Sequence, residues 1–386
     1  MKGRKIMRKS TVTMVTAAAL ILSMLLGGCG KPVNSTETTT QAPAAQTTEG
    51  QAASADQAEP AAPADSDMKF AVVFDLGGIG DNGYNMEIHQ ACVDLAEKYG
   101  IGFDFVEPKA INDYETQFRM YADSEEYAVI VGVAYAHADA MRMVAPDYPD
   151  QKFAILDTVV DDVENIHSLS AFHPEQHFLS GVIAGLVTQD DRMPMANPEN
   201  VLGFAIAMDS PVSRAQAAGF MAGARYVNPE VEFITNYIGS YKDPAKAKEI
   251  AMTAYGRGAD IVCQNAGASG MGVFAAGEEA GRYVVASSVA TITPGYTLSV
   301  SLKRMETFLD YELNSIMNGT WQAGSTQLGI KDGACGYLIE GTGVEIPEDI
   351  IEKAEEIKQQ FIDGKFTLPE DIEEIDAWTA ANQYQS

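Results

Sequence analysis

The chain is 386 residues long and carries 54 acidic against 26 basic side chains, a formal charge of −28 at pH 7. Such a field repels phosphate, so binding of nucleic acid or anionic lipid by the folded body is excluded. The length exceeds what one hydrophobic core usually serves, which makes two lobes the default expectation.

Lys2, Arg4, Lys5, Arg8 and Lys9 form a basic start, Thr11–Leu26 is an uncharged, mostly apolar run, and Leu26-Gly27-Gly28-Cys29 closes it. That order describes a secretory signal. The run is shorter than the about 20 residues a membrane span needs. Its Leu-Gly-Gly-Cys end resembles a bacterial lipobox, which makes residues 1–28 a lipoprotein signal peptide and Cys29 the lipid anchor. An ordinary signal peptide with an incidental Cys, or an uncleaved anchor, are the alternatives. The position of Cys29 at the end of the apolar run, directly ahead of a linker, favours lipidation. Residues 29–67 are Thr, Ala, Gln, Pro, Ser and acidic residues, with no large apolar side chain after Val33. They cannot bury enough surface to offset ordering entropy and read as a disordered tether. Loss of the signal removes five basic and no acidic residues, leaving 21 basic against 54 acidic, a formal −33.

From residue 68 to 386 short apolar runs alternate with amphipathic stretches. Strands are predicted at Lys69–Asp75, Gly102–Val106, Tyr127–Tyr135, Lys152–Asp157 and Ile166–Ala171, and again at Val201–Met208, Val231–Ile238, Asp260–Ala266 and Tyr283–Ser287. Helices are predicted at 84–99, 138–145, 178–188, 214–226, 244–255 and 273–281. Near-continuous β-branched strands separated by helices indicate parallel sheets covered on both faces. The fold class is therefore α/β, with two doubly wound parallel-sheet lobes. The first covers about 68–188 plus a later returning segment. The second covers about 200–295 plus a C-terminal contribution, and the polar loop Gln189–Asn200 divides the two series.

In such sheets ligands bind beyond the carboxyl ends of the strands. The residues there are rich in Gly, Asp, Asn, Ser and Tyr, which suits hydrogen bonding and ring stacking of a neutral, polar, aromatic ligand. Gly78-Ile79-Gly80-Asp81-Asn82-Gly83 is a literal G-x-G-x-x-G, but Asp75 and Asp81 would repel a pyrophosphate placed there. Gly267–Gly272 lacks the Lys-Ser/Thr of a phosphate loop. His173 and His177 have metal-ligand spacing around Glu175 but no third ligand, so a surface or capping role is expected. Asp123, Glu125 and Glu126 read as loop surface charge, and Glu348–Glu356 and Glu370–Asp376 as solvated helix faces. Cys92, Cys263 and Cys335 make an odd set beyond Cys29 and no disulfide framework; Cys92 and Cys263 are expected in the core. No catalytic constellation, metal site or cofactor motif emerges.

The motifs FDLGGIGDNGYN (74–85), VGVAYAHADAMRMVAPDYPDQKFAILD (131–157), GADIVCQNAGASGMGVFAA (258–276) and SLKRMETFLDYELNSIMNGTW (301–321), together with the long stretch 208–251, resemble the basic membrane protein family. Its members are purine-nucleoside-binding lipoproteins, the substrate-binding parts of ABC importers, and the likeness covers nearly all of Lys69 to Pro369. The resemblance implies a type I periplasmic-binding-protein fold with a hinge between the lobes, a purine nucleoside or nucleobase ligand, ABC permease partners and no cofactor. It also implies a site. Asp75 would hydrogen-bond the purine edge, with Tyr84 and Tyr241 stacking on the two faces of the base. Asp139 would receive ribose hydroxyls, Gly267 and Lys303 would lie on the sugar side, and Asn85 would fix the first loop. Ser288 stands where the family usually has a ribose-binding Asp. It lacks the charge-assisted bond of a carboxylate, which leaves a free base, a deoxynucleoside or a non-purine ligand open, and Ser288→Asp is expected to favour the nucleoside. Leu76 makes the base edge less polar than usual. A ligand sensor feeding a membrane signalling partner would use the same site. An exported Rossmann-like enzyme is the third reading, and the missing nucleophile, base and metal set speaks against it.

Overall fold

A computed structural model describes residues 67–80 and 83–384. The signal peptide, Cys29 and the tether up to residue 66 lie outside the described residues, as do Asp81, Asn82 and the last two residues. The elements follow the predicted alternation: β1 (Lys69–Val73), α1 (Tyr84–Tyr99), β2 (Gly102–Val106), α2 (Tyr114–Ser124), β3 (Val129–Gly132), α3 (Ala138–Val144), β4 (Phe153–Leu156) and β5 (Ile166–Ala171). Next come α4 (His173–Val187), β6 (Val201–Ile206), α5 (Pro211–Val227), β7 (Glu232–Tyr237), α6 (Pro244–Gly256), β8 (Ala259–Gln264), α7 (Gly270–Ala280) and β9 (Tyr283–Ala286). The chain ends with β10 (Thr297–Lys303), α8 (Met305–Met317), β11 (Gly324–Leu328), β12 (Cys335–Leu338), α9 (Glu348–Ile362) and α10 (Ile375–Ala381).

The strands assemble into two six-stranded sheets, in the orders β11-β5-β4-β3-β1-β2 and β12-β10-β9-β8-β6-β7. Every pairing is parallel except β10 with β12. Each sheet with its helices forms one lobe. Strands such as VIVG, FAIL and VLGFAI are buried along their whole length because helices cover both faces. Alternate residues of β1, β3 and β4 pack with α2 and α3 on one face of the first sheet, and those of β6, β8 and β9 with α6 and α7 on one face of the second. The remaining faces share a larger core with α1, α4, α5, α8 and α9.

The chain changes sheet three times. After β5 it enters α4, which packs on α5, β10 and β12 of the second sheet. This contact is close because glycines line it: a Cβ on Gly219 would sit 1.9 Å from Pro174 O, and one on Gly223 2.0 Å from Phe178 O. The first passage thus falls at Phe172–His173, ahead of the 189–200 loop that the sequence marks as the divide. The loop instead belongs to the second sheet, where Thr188 Oγ1 and the Asn197 N–H donate to the buried Asp260 carboxylate. The chain returns after Lys303 through α8 and β11, then crosses again to β12.

Several local expectations need correction. Asp123 is not in a loop: it lies in the last turn of α2, whose buried stripe is Tyr114, Phe118, Tyr121 and Ala122. Glu125 is the left-handed C-cap of that helix, at φ 55°. The strand predicted over 127–135 contracts to β3. His177 is not at the surface: it is fully buried in α4, and His173 starts that helix. Cys92, Cys263 and Cys335 are free and buried.

Candidate ligand-binding cleft

The carboxyl ends of the parallel strands carry the loops that hold the predicted site. β1 leads to Asp75, β3 to Asp139, β7 to Tyr241, β8 to Gly267 and β9 to Ser288, while Lys303 is the last residue of β10. Tyr84 begins α1.

The first loop is fastened by its own side chains. The Asp75 N–H donates to Asn85 Oδ1 at 3.2 Å, and Asn85 is buried. The Asp75 carboxylate accepts a 2.5 Å hydrogen bond from Tyr114 Oη. Burial, then this carboxylate, push the Tyr114 phenol well above its ordinary range, so it stays a donor. Gly78, at φ 61°, makes the turn, and the Ile79 N–H donates to Glu107 Oε1 at 2.8 Å. A protein carboxylate therefore takes a loop amide that a dinucleotide phosphate would need, which agrees with rejecting that motif.

Tyr84 lies where the two sheets meet. Lys303 Nζ stands 5.3 Å from its ring centroid and pairs with Asp157 Oδ2 at 2.5 Å. Asp157 follows β4, so this ion pair joins the lobes. Asp157 takes φ 59°, a conformation that costs a non-glycine residue about 1–2 kcal/mol, though Asp and Asn tolerate it best. The Tyr84 hydroxyl is buried beside this carboxylate without a well-formed hydrogen bond. Burial, then the charges of Asp157, Asp75 and Glu87, raise its pKa far above the usual value. An aromatic ring thus lies in the negative field of three carboxylates, with an ammonium over one face.

On the second lobe the Tyr241 loop is tied to the Gly267 turn. The Ser269 N–H donates to Tyr241 O at 3.0 Å, and Ser269 Oγ donates to Ser240 O at 2.9 Å while accepting from the Asp243 N–H at 2.7 Å. Gly267 has φ 53°, and a Cβ there would lie 3.6 Å from Tyr241 Cδ1. Tyr241 is 47 % exposed. Ser288 Oγ donates to Glu87 Oε1 at 2.6 Å. A cavity of about 220 Å³ lies against Glu87, Ser288 and Lys303 and is bounded by both lobes.

The predicted residues are thus brought together in two groups. Asp75, Tyr84, Asn85, Ser288 and Lys303 gather where the sheets meet; Tyr241 and Gly267 form a unit on the second lobe. The Tyr241 ring makes no ring contact with Tyr84 in this conformation, which leaves their faces apart. Asp139 lies in the first turn of α3, its carboxylate 96 % exposed and 3.5 Å from Arg142 Nη1. Reasoning from the sequence missed Asp157, Glu87, Tyr114 and Glu107. Asp157 carried the same signal as Asp75, an acid directly after an apolar strand, and Glu87 lies three positions beyond Tyr84 on α1.

Two wound sheets joined by three crossings define a two-lobed α/β fold of the type I periplasmic-binding class. The structure matches that of an ABC transporter solute-binding protein from Aeropyrum pernix K1 with a TM-score of 0.64, at 24 % identity over 80 % of this chain and 96 % of that one; this establishes the fold. The chain belongs to the Bmp family, the PnrA-like ABC transporter substrate-binding proteins, whose family model matches residues 68–370. This is a family of binding proteins and not of enzymes. Among its relatives, the ABC transporter nucleoside-binding protein BmpA of Lactococcus lactis is 27 % identical, over 79 % of this chain and 90 % of the relative. An uncharacterized lipoprotein of Pyrococcus abyssi is 26 % identical, over 70 % of this chain and 69 % of the relative.

Proposed function

We propose that the chain is a lipid-anchored, extracytoplasmic receptor that captures a purine nucleoside or related nucleobase between its lobes and delivers it to ABC permease subunits. The observation that carries the ligand class is the setting of Tyr84: a ring at the lobe junction beside the Lys303–Asp157 pair, in the negative field of Asp157, Asp75 and Glu87. Such a site favours a flat, uncharged heterocycle rich in hydrogen-bond donors and disfavours phosphates. A relative named for nucleoside binding supports the same class. In this reading Asp75 takes the purine edge, Tyr84 and Tyr241 close on the base, and Asp139, in the first turn of α3, meets ribose hydroxyls as the lobes close. Gly267, Ser288 and Lys303 line the sugar side. Closure of the lobes around the ligand does the work, with no covalent step. Cys29 supplies the membrane anchor, a role consistent with lipoprotein relatives. Calorimetric titration with guanosine, adenosine, guanine and adenine tests the ligand class. Saturable binding that is lost in Asp75→Ala is the expected result; no heat from any of the four would overturn the assignment.

A further inference from the structure

The Ser288 hydroxyl, after β9 of the second sheet, donates to Glu87 in the first turn of α1, at 2.6 Å. Both residues line the cavity that also holds Lys303. A carboxylate is therefore present beside position 288, but it comes from the opposite lobe. Two carboxylates at hydrogen-bond distance cannot both ionise without strong repulsion. Glu87 is thus compatible with a hydroxyl at 288 and incompatible with an acid there. Asp94, another acid at this cavity, accepts from Gln90 Nε2 at 2.8 Å along its own helix and does not bridge the lobes.

We propose that Glu87, aimed across the cleft by the Ser288 hydroxyl, is a specificity-determining residue that accepts hydrogen bonds from the hydroxyls of a bound ribonucleoside. The inference rests on the purine-nucleoside reading and refines it. A carboxylate accepts up to about four hydrogen bonds, and the Ser288 hydroxyl is one of the donors that Glu87 serves. It also reverses the expectation drawn from resemblance alone. Ser288→Asp should weaken nucleoside binding, because the new acid faces Glu87.

The test uses the full chain carrying Cys29→Ser, titrated calorimetrically with guanosine and guanine. Glu87→Gln should lower guanosine affinity about tenfold or more, the loss expected of a charge-assisted bond, while changing guanine affinity less than about twofold. Ser288→Asp should weaken guanosine binding, and the exchange Glu87→Ser with Ser288→Asp should restore most of it. Equal loss for guanosine and guanine in Glu87→Gln, or tighter guanosine binding in Ser288→Asp, would overturn the proposal. Melting of the ligand-free variants gives an independent readout. Ser288→Asp should melt below the parent at pH 7, with the deficit shrinking toward pH 4 and removed by the exchange; an unchanged melt would overturn the pairing. A parent protein that binds neither purine overturns the purine reading, and with it the ligand role of Glu87, while the melts still decide whether the two residues are coupled.

Discussion

Asp157→Asn isolates the charge of the ion pair that joins the lobes. Asn has the shape of Asp and tolerates the left-handed backbone found at 157, so little but the charge changes. The pair is short, 2.5 Å, and its side chains are 17 % and 20 % exposed, between the surface and the interior. Exposed pairs contribute about 0–1 kcal/mol and breaking a buried pair costs about 3–5 kcal/mol, so a loss of about 2 kcal/mol is expected here. Asp157→Ala should lose about 1 kcal/mol more, because alanine does not favour positive φ. Lys303→Met should destabilise by leaving Asp157 unpaired, and the double variant Asp157→Asn, Lys303→Met should recover part of the sum, with a coupling of about 1–2 kcal/mol. Urea titration of the four proteins at pH 7 and moderate salt measures this. A coupling below about 0.5 kcal/mol would show that solvent screens the pair and that it does not hold the lobes together.

Five further outcomes are expected. Tyr241→Ala should weaken purine binding by about 1–3 kcal/mol, as loss of a stacked base does elsewhere, whereas Tyr84→Phe, which only deletes an unsatisfied buried hydroxyl, should leave stability unchanged or slightly raised; calorimetry and melting check both. Burial lowers the pKa of His137 to about 4 and that of His177 to about 3, the latter against a small opposing pull from the Gln264 backbone. The unfolded chain thus takes up protons first, and stability that is full above pH 6.5 should fall as the pH drops toward 4 and 3, with His137 alone accounting for roughly 3 kcal/mol. Asp260, raised by burial to about 6, acts in the opposite sense between pH 4 and 6, so Asp260→Asn should steepen the acid loss measured by urea titration across that range. Cys29→Ser should move the protein from the membrane pellet to the soluble fraction, and a variant that stays in the pellet after a salt wash would contradict the anchor.

The wound sheets were legible because their strands are buried on both faces and so are written as unbroken apolar runs, as in VIVG and FAIL. Of the residues that the resemblance assigns to the site, Asp75, Asp139, Gly267 and Ser288 follow such runs, whereas Tyr241 follows the half-exposed edge strand β7, EFITNY. β11 and β12 escaped notice because GSTQL and CGYL are edge strands with polar or small residues, and their pairing depends on a chain return that no local pattern announces. α2 was hidden by its low apolar content: its stripe is carried by Tyr114, Phe118 and Tyr121 among charged neighbours. The burial of His177 has no sequence signal, because it arises from the glycine-lined approach of α4 to α5. The cross-lobe partners Glu87–Ser288 and Asp157–Lys303 are far apart in sequence, and only the meeting of the two sheets reveals them.

The most direct test of the central claim is competitive calorimetry on the Cys29→Ser chain, freed of bound ligand by unfolding and refolding, with guanosine, adenosine, guanosine monophosphate and a monosaccharide. Saturable one-to-one binding of at least one nucleoside, with the monophosphate and the sugar silent, is the predicted result. Binding of the sugar or the monophosphate in preference to both nucleosides would contradict it.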